Sequence, residues 1–279
     1  TGFLRFFVRM MKIYLLWSAV YISLSFAVNV LLNGENAGEA VLGYVKNFFF
    51  VGSYWHLWYM VGLIYALCLT ALFYKIAKER GLQILLGISI VFFVFGALCY
   101  AYTPLMERIT WLRPYLDASW FSSFSEIMCL GIPCFIWGYA VVLFQQKNAM
   151  NPKRDGRLLI LSLILYTVEF WSIVGLTGNT HIRSLLSTHF VTFFLMLVLL
   201  EHPASTWEKQ GLLCKDYSTY LYLAHPLFIA ILSAGQDMIG IQQPAALYVL
   251  EVLAFTLFSR VVLQWCRQFR VRRRGTNEK

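Results

Sequence analysis

Apolar stretches of about 20 residues recur from one end of this chain to the other, each long enough to cross roughly 30 Å of hydrocarbon as a helix. They run over Phe6 to Leu32, Trp55 to Tyr74, Leu82 to Tyr102, Phe124 to Phe144, Leu158 to Leu176, Leu185 to Leu200, Tyr217 to Ala234 and Ala245 to Trp265. No soluble core hides so much apolar surface: 59% of the residues are hydrophobic and 13% charged, against roughly 45–50% and about 25% in an ordinary soluble domain. A mean hydropathy of +0.63 points the same way. The expected fold is all-α, a polytopic bundle of about eight membrane-spanning helices. The segments between them read as turns and edges. Asn33-Gly34-Glu35-Asn36 is a turn, Ala37 to Tyr54 is mixed and aromatic as if lying at the interface, and Lys75 to Arg80 is a basic turn. Pro104 opens a polar loop running to about Ser122, and Gln145 to Arg157 is a connector containing Asn151-Pro152.

The basic residues test this division. Numbering ends and loops alternately, one set contains Arg5, Arg9, Lys12, Lys75, Lys78, Arg80, Lys147, Lys153, Arg154, Arg157, Lys209, Lys215, Arg267, Arg270, Arg272, Arg273, Arg274 and Lys279, which is 18 of the 23. The other set contains Lys46, Arg108, Arg113 and Arg183, and Arg260 falls inside the last span. A miscounted helix scrambles such an asymmetry. The positive-inside rule then places both termini of this chain in the cytoplasm, and a multi-pass chain of the cell (plasma or inner) membrane is expected. The net charge of +9 is explained by these clusters, with no continuous stripe for nucleic acid. The expected organisation is one transmembrane domain over residues 1–266 and a basic cytoplasmic tail over 267–279.

Six cysteines, Cys68, Cys99, Cys129, Cys134, Cys214 and Cys266, lie in or beside the spans without metal-ligand spacing. They read as small packing residues, and no metal is expected. Ionisable groups within spans are costly unless they face an interior, a partner or water. The candidates are His56, Glu126, Glu169, His189, His225, Glu251 and Arg260. With the orientation above, most fall in the outer halves of their spans, as a polar cavity open outward requires. Each also has a structural reading. His56 and Glu126 lie near helix ends where interfacial water reaches, Glu169 and Glu251 suit a buried pairing, and His189 suits an interhelical hydrogen bond. His225 precedes Pro226, which frees a carbonyl one turn earlier and permits a kink. Arg5, Arg9 and Lys12 share one helical face, suited equally to phosphate headgroups and to the phosphates of a nucleotide cofactor.

Four blocks in order resemble membrane-bound acyltransferase family 3. They are Gly2-Phe3-Leu4 followed by Phe7-Val8-Arg9-Met10-Met11-Lys12; Trp55-His56-Leu57-Trp58-Tyr59; Gly131-Ile132-Pro133-Cys134-Phe135-Ile136-Trp137-Gly138; and Ser218-Thr219-Tyr220-Leu221-Tyr222-Leu223-Ala224-His225-Pro226. The resemblance extends to the membrane part of membrane-bound serine racemases. It implies a ten-helix protein that moves an acyl group, commonly acetyl, from cytosolic acyl-CoA to a hydroxyl of an extracytoplasmic glycan, peptidoglycan or lipid-linked saccharide. The family's cofactor-holding basic motif falls on Arg9 and Lys12, where Lys12 stands for a more usual arginine and lacks its bidentate fork. The family's catalytic histidine lies in a first helix, upstream of Thr1, so a chain lacking two helices is expected. The residues then expected to line the catalytic path are His56, Glu126, Glu169 and His225. Two other readings stay open: a carrier or exporter for a small solute such as an amino acid, since intramembrane Glu and His with a broken helix suit proton coupling, and an inactive remnant.

Overall fold

The computed structural model describes residues 2–106, 109–110, 125–147, 151–178, 182, 185–201, 208–240 and 244–276, and these form helices joined by turns, with no strand among them. The expected loop to Ser122, with Arg108 and Arg113, lies for the most part outside the described residues, as does Arg183. The chain divides into two compact units, Thr1–Pro203 and Ala204–Lys279.

The first unit begins with α1 (Gly2–Phe26), which runs on through a wider π-helical stretch, Ala27–Leu32. Asn33-Gly34-Glu35 closes it as a turn, with Gly34 at φ +71°. Asn36 then caps α2 (Ala37–Phe50), its side-chain oxygen accepting from the amides of Gly38 and Glu39. The mixed stretch expected at an interface is therefore a helix followed by a short loop.

The next element, α3 (Trp58–Tyr100), is 43 residues long but not straight. Ala77 (φ −135°, ψ 18°) and Lys78 (φ 52°, ψ −129°) leave helical geometry inside it. A straight helix would separate Phe73 from Gly81 by about 12 Å. Instead a Cβ at Gly81 would stand 2.1 Å from the Phe73 carbonyl oxygen, so the chain doubles back and only glycine fits. The basic turn expected at Lys75 to Arg80 is this bend, and the two limbs, 58–76 and 79–100, are the second and third spans.

A one-turn helix, α4 (Thr103–Met106), follows the second limb. Next comes α5 (Glu126–Gln146), whose first six residues, Glu126–Gly131, are π-helical. This stretch wedges between the limbs of α3. On one side Gly62 and Gly131 face each other backbone to backbone; on the other, a Cβ at Gly96 would lie 2.4 Å from that of Cys129. Close approach through small residues is how helices bind in lipid, where burial of apolar area gives no net drive.

Two packed helices, α6 (Pro152–Thr177) and α7 (Ser187–Glu201), complete the unit. At the start of α6, Asn151 Oδ1 accepts from the Arg154 amide at 3.1 Å while Asp155 Oδ2 accepts from the Asn151 amide at 2.9 Å. The cap is reciprocal, and Pro152 suits the first helical position, whose amide needs no partner. The helix thus starts inside what the sequence reads as connector. Its flank exposes Ile160, Leu161, Ile164, Leu165, Val168 and Trp171, a surface suited to lipid and unsuited to water.

The second unit is a pair of packed helices, α8 (Glu208–Ile239) and α9 (Ala245–Thr276). Among the described residues, six helices are long and apolar enough to cross a membrane. Counting α3 as two limbs and adding the shorter apolar α7, the eight expected spans are accounted for. The protein is an all-α, multi-pass membrane protein.

Candidate functional site

The stripe Tyr14, Ser18 and Tyr21 forms the buried face of α1, at the i, i+4, i+7 spacing of one helical side. Each anchors a neighbour. The Tyr14 hydroxyl donates to the Phe48 carbonyl at the end of α2 at 2.5 Å, and the Ser53 hydroxyl donates to Ser18 Oγ at 2.7 Å. The Tyr21 ring stacks on that of Tyr54, with centroids 4.4 Å apart. These contacts hold the loop from Val51 to Leu57 against α1, and the loop carries His56.

The His56 imidazole is 4% exposed. Three rings enclose it edge-on: Tyr21 at 5.0 Å, Trp55 at 5.5 Å and Tyr54 at 5.8 Å. A ring held this way keeps its orientation without depending on water. The aromatic run that composition alone assigns to an interfacial belt is here divided: Trp55 is exposed, while His56 and Leu57 turn inward.

Glu169 occupies a different kind of place, inside a nest of donors. It accepts from the Tyr102 hydroxyl at 2.6 Å, from the amides of Leu186 and Ser187 at 2.8 and 2.9 Å, and from the Ser187 hydroxyl. The carboxylate therefore caps the N-terminus of α7 and ties it to the end of α3, and a helix N-terminus favours such a charge. It also borders a cavity of about 230 Å³ lined by Tyr102, Ser172, Ile173 and Thr177. Glu126 is half-buried at the first residue of the π-helical stretch of α5. His189, read as an interhelical hydrogen-bonding group, is stacked instead on Phe93 at 3.5 Å and edge-on to Trp137 at 5.3 Å. Neither of its nitrogens has a hydrogen-bond partner among the described residues.

Arg9 and Lys12 are exposed. Arg9 lies over the Phe6 ring at 5.2 Å, and helical geometry puts both side chains on the side of α1 opposite Tyr14, Ser18 and Tyr21. Along the axis, Arg9 stands about 18 Å from Tyr21, the residue of α1 that touches His56. The basic pair thus lies on one face of α1, and the buried imidazole packs against the opposite face from the neighbouring loop.

The second unit contains His225. Its Nδ1 lies 2.8 Å from the Leu221 carbonyl oxygen, so the proton on that nitrogen is donated to the backbone in the helical turn that Pro226 disrupts. The ring borders a cavity of about 290 Å³ with Tyr222, Ile229, Tyr248 and Val252. Arg260 lies over the Tyr220 ring at 5.3 Å, which makes the charge inside the last span tolerable.

Sequence reasoning misses two features here. One is the aromatic enclosure of His56, although the Tyr14, Ser18, Tyr21 spacing carried the signal. The other is Asp155, fully buried and paired with Arg154 Nε at 2.7 Å, whose place four residues after Asn151 marks a helix start. A family model for an acyltransferase domain matches residues 2–265. No curated protein and no solved structure matches the chain.

Proposed function

Because the chain belongs to acyltransferase family 3, we propose that it moves an acyl group, acetyl in the simplest case, from cytosolic acyl-CoA to a hydroxyl of an extracytoplasmic glycan or lipid-linked saccharide. The observation that carries this reading is the buried, ring-oriented His56 behind a helix whose exposed face bears Arg9 and Lys12. An alcohol attacks a thioester slowly at neutral pH unless its proton is taken as the new bond forms. A neutral imidazole titrates in the right range for that task. In this reading His56 takes the acceptor's hydroxyl proton, the oxygen bonds to the thioester carbon, and the carbon–sulfur bond breaks to release the CoA thiolate, which the proton then neutralises. Arg9 and Lys12 hold the donor's phosphates. Glu126 lines the acceptor's path, Glu169 positions α7, and His225 braces the turn of α8 that contains Pro226.

Inside-out membrane vesicles given labelled acetyl-CoA test the reading. Label is expected on a glycan or lipid, His56→Ala is expected to lower the rate by roughly 10²–10⁴-fold, and Arg9→Ala to raise the KM for the donor. Solute uptake without acyl transfer, or donor dependence unchanged in Arg9→Ala, counts against it.

A further inference from the structure

The chemistry above leaves a sizeable trough of the first unit unused. It has a volume of about 490 Å³ between the two limbs of α3 and α5, and Tyr59, Leu82, Leu85, Phe135 and Val142 line it. Cys134 and Gly138 are exposed within it, and a Cβ at Gly138 would meet nothing within 4 Å. Along the first limb it extends from Tyr59 to Thr70, about 16 Å of helix. Thr70 spends its hydroxyl on the Ala66 carbonyl, which leaves Tyr59 and Tyr139 as the main polar side chains of an otherwise apolar wall.

One end of the trough is charged. Leu82 lies one turn past the bend, where Lys75, Lys78 and Arg80 are all exposed and Glu79 is the single carboxylate. On the α5 side, Val142 lies two residues before Phe144, over whose ring the Arg154 guanidinium stands at 5.9 Å. Lys78 also keeps a backbone φ of 52°, a conformation that L side chains rarely adopt and that persists where the surroundings require it.

We propose that this trough binds one anionic glycerophospholipid, with an acyl chain along the limb from Thr70 to Tyr59 and the phosphate against Lys75 and Arg80. A mostly apolar wall about 16 Å long suits an extended chain, and with Tyr59 and Tyr139 as its main polar groups it offers too few partners for the many hydroxyls of a saccharide. The net positive rim supplies what the headgroup lacks, and a protein that spans a bilayer meets this ligand from the side.

Native mass spectrometry of the whole protein, extracted from bilayers containing equal phosphatidylglycerol and phosphatidylcholine, tests the site. The unaltered protein is expected to retain one phosphatidylglycerol in preference to phosphatidylcholine, a comparison that needs no variant. Lys75→Gln and Arg80→Gln are each expected to reduce the preference about fivefold. Gly138→Leu, which fills the trough from an open position, is expected to lose the bound lipid while keeping its helical circular dichroism. Equal retention of the two lipids, or wild-type retention in Gly138→Leu, overturns the proposal. Displacement of the bound lipid by palmitoyl-CoA also overturns it, assigning the trough to the acyl donor.

Discussion

Glu169 receives four hydrogen bonds in a low-dielectric setting, so the charge matters as much as the shape. Glu169→Gln would turn an amide donor toward groups that already donate, and a loss of about 1–3 kcal/mol follows. Thermal unfolding followed by size-exclusion chromatography in detergent should show an earlier transition. His189 predicts the opposite. Among the described residues its ring makes aromatic contacts and its nitrogens no hydrogen bond, so His189→Phe keeps the stacking on Phe93 and removes two buried polar atoms, and stability should stay level or rise. An earlier melting transition in that variant would show that the imidazole holds a partner. Sequence alone marks Glu169 and His189 as equally anomalous residues in apolar spans. What separates them is which atoms arrive from elsewhere: Tyr102 and the start of α7 for one, Phe93 and Trp137 for the other. No local pattern encodes those arrivals.

At the scale of elements, the spans were legible because apolar length and basic punctuation are local properties. The turn at Lys75 to Arg80 and the Asn33 to Asn36 turn stand where composition put them, and Pro226 sits inside the continuous helix α8. The α2 helix was not legible, since its apolar residues serve a half-exposed surface and its cap at Asn36 is the only strong signal. The π-helical stretch Glu126–Gly131 was likewise hidden, because its width answers to the two limbs of α3 packed around it. That fit gives a sharp contrast within one helix. Gly96→Ala places a methyl group 2.4 Å from the Cys129 side chain and should cost about 1–3 kcal/mol. Gly87→Ala, on the same limb, meets nothing within 4 Å and should be neutral or mildly stabilising. Equal melting temperatures for the two variants would contradict the packing described for α3 and α5.

At the scale of the molecule, the eighteen-to-four division of basic residues about the eight spans predicts that both ends of the chain lie on the cytoplasmic side. Reporter fusions at residues 2 and 276 should both be active in the cytoplasm, and opposite locations would mean an odd number of crossings. The bend in α3 bears on how these spans can vary. Two crossings joined by a turn with no spare residues share one register. Inserting a single residue in the second limb, between the bend and Gly96, would rotate Gly96 by about 100° relative to the bend, carrying it away from Cys129 and closing the wedge that α5 occupies. Loops on either side can lengthen at little cost. The bend has no slack, so the two limbs must change together or not at all.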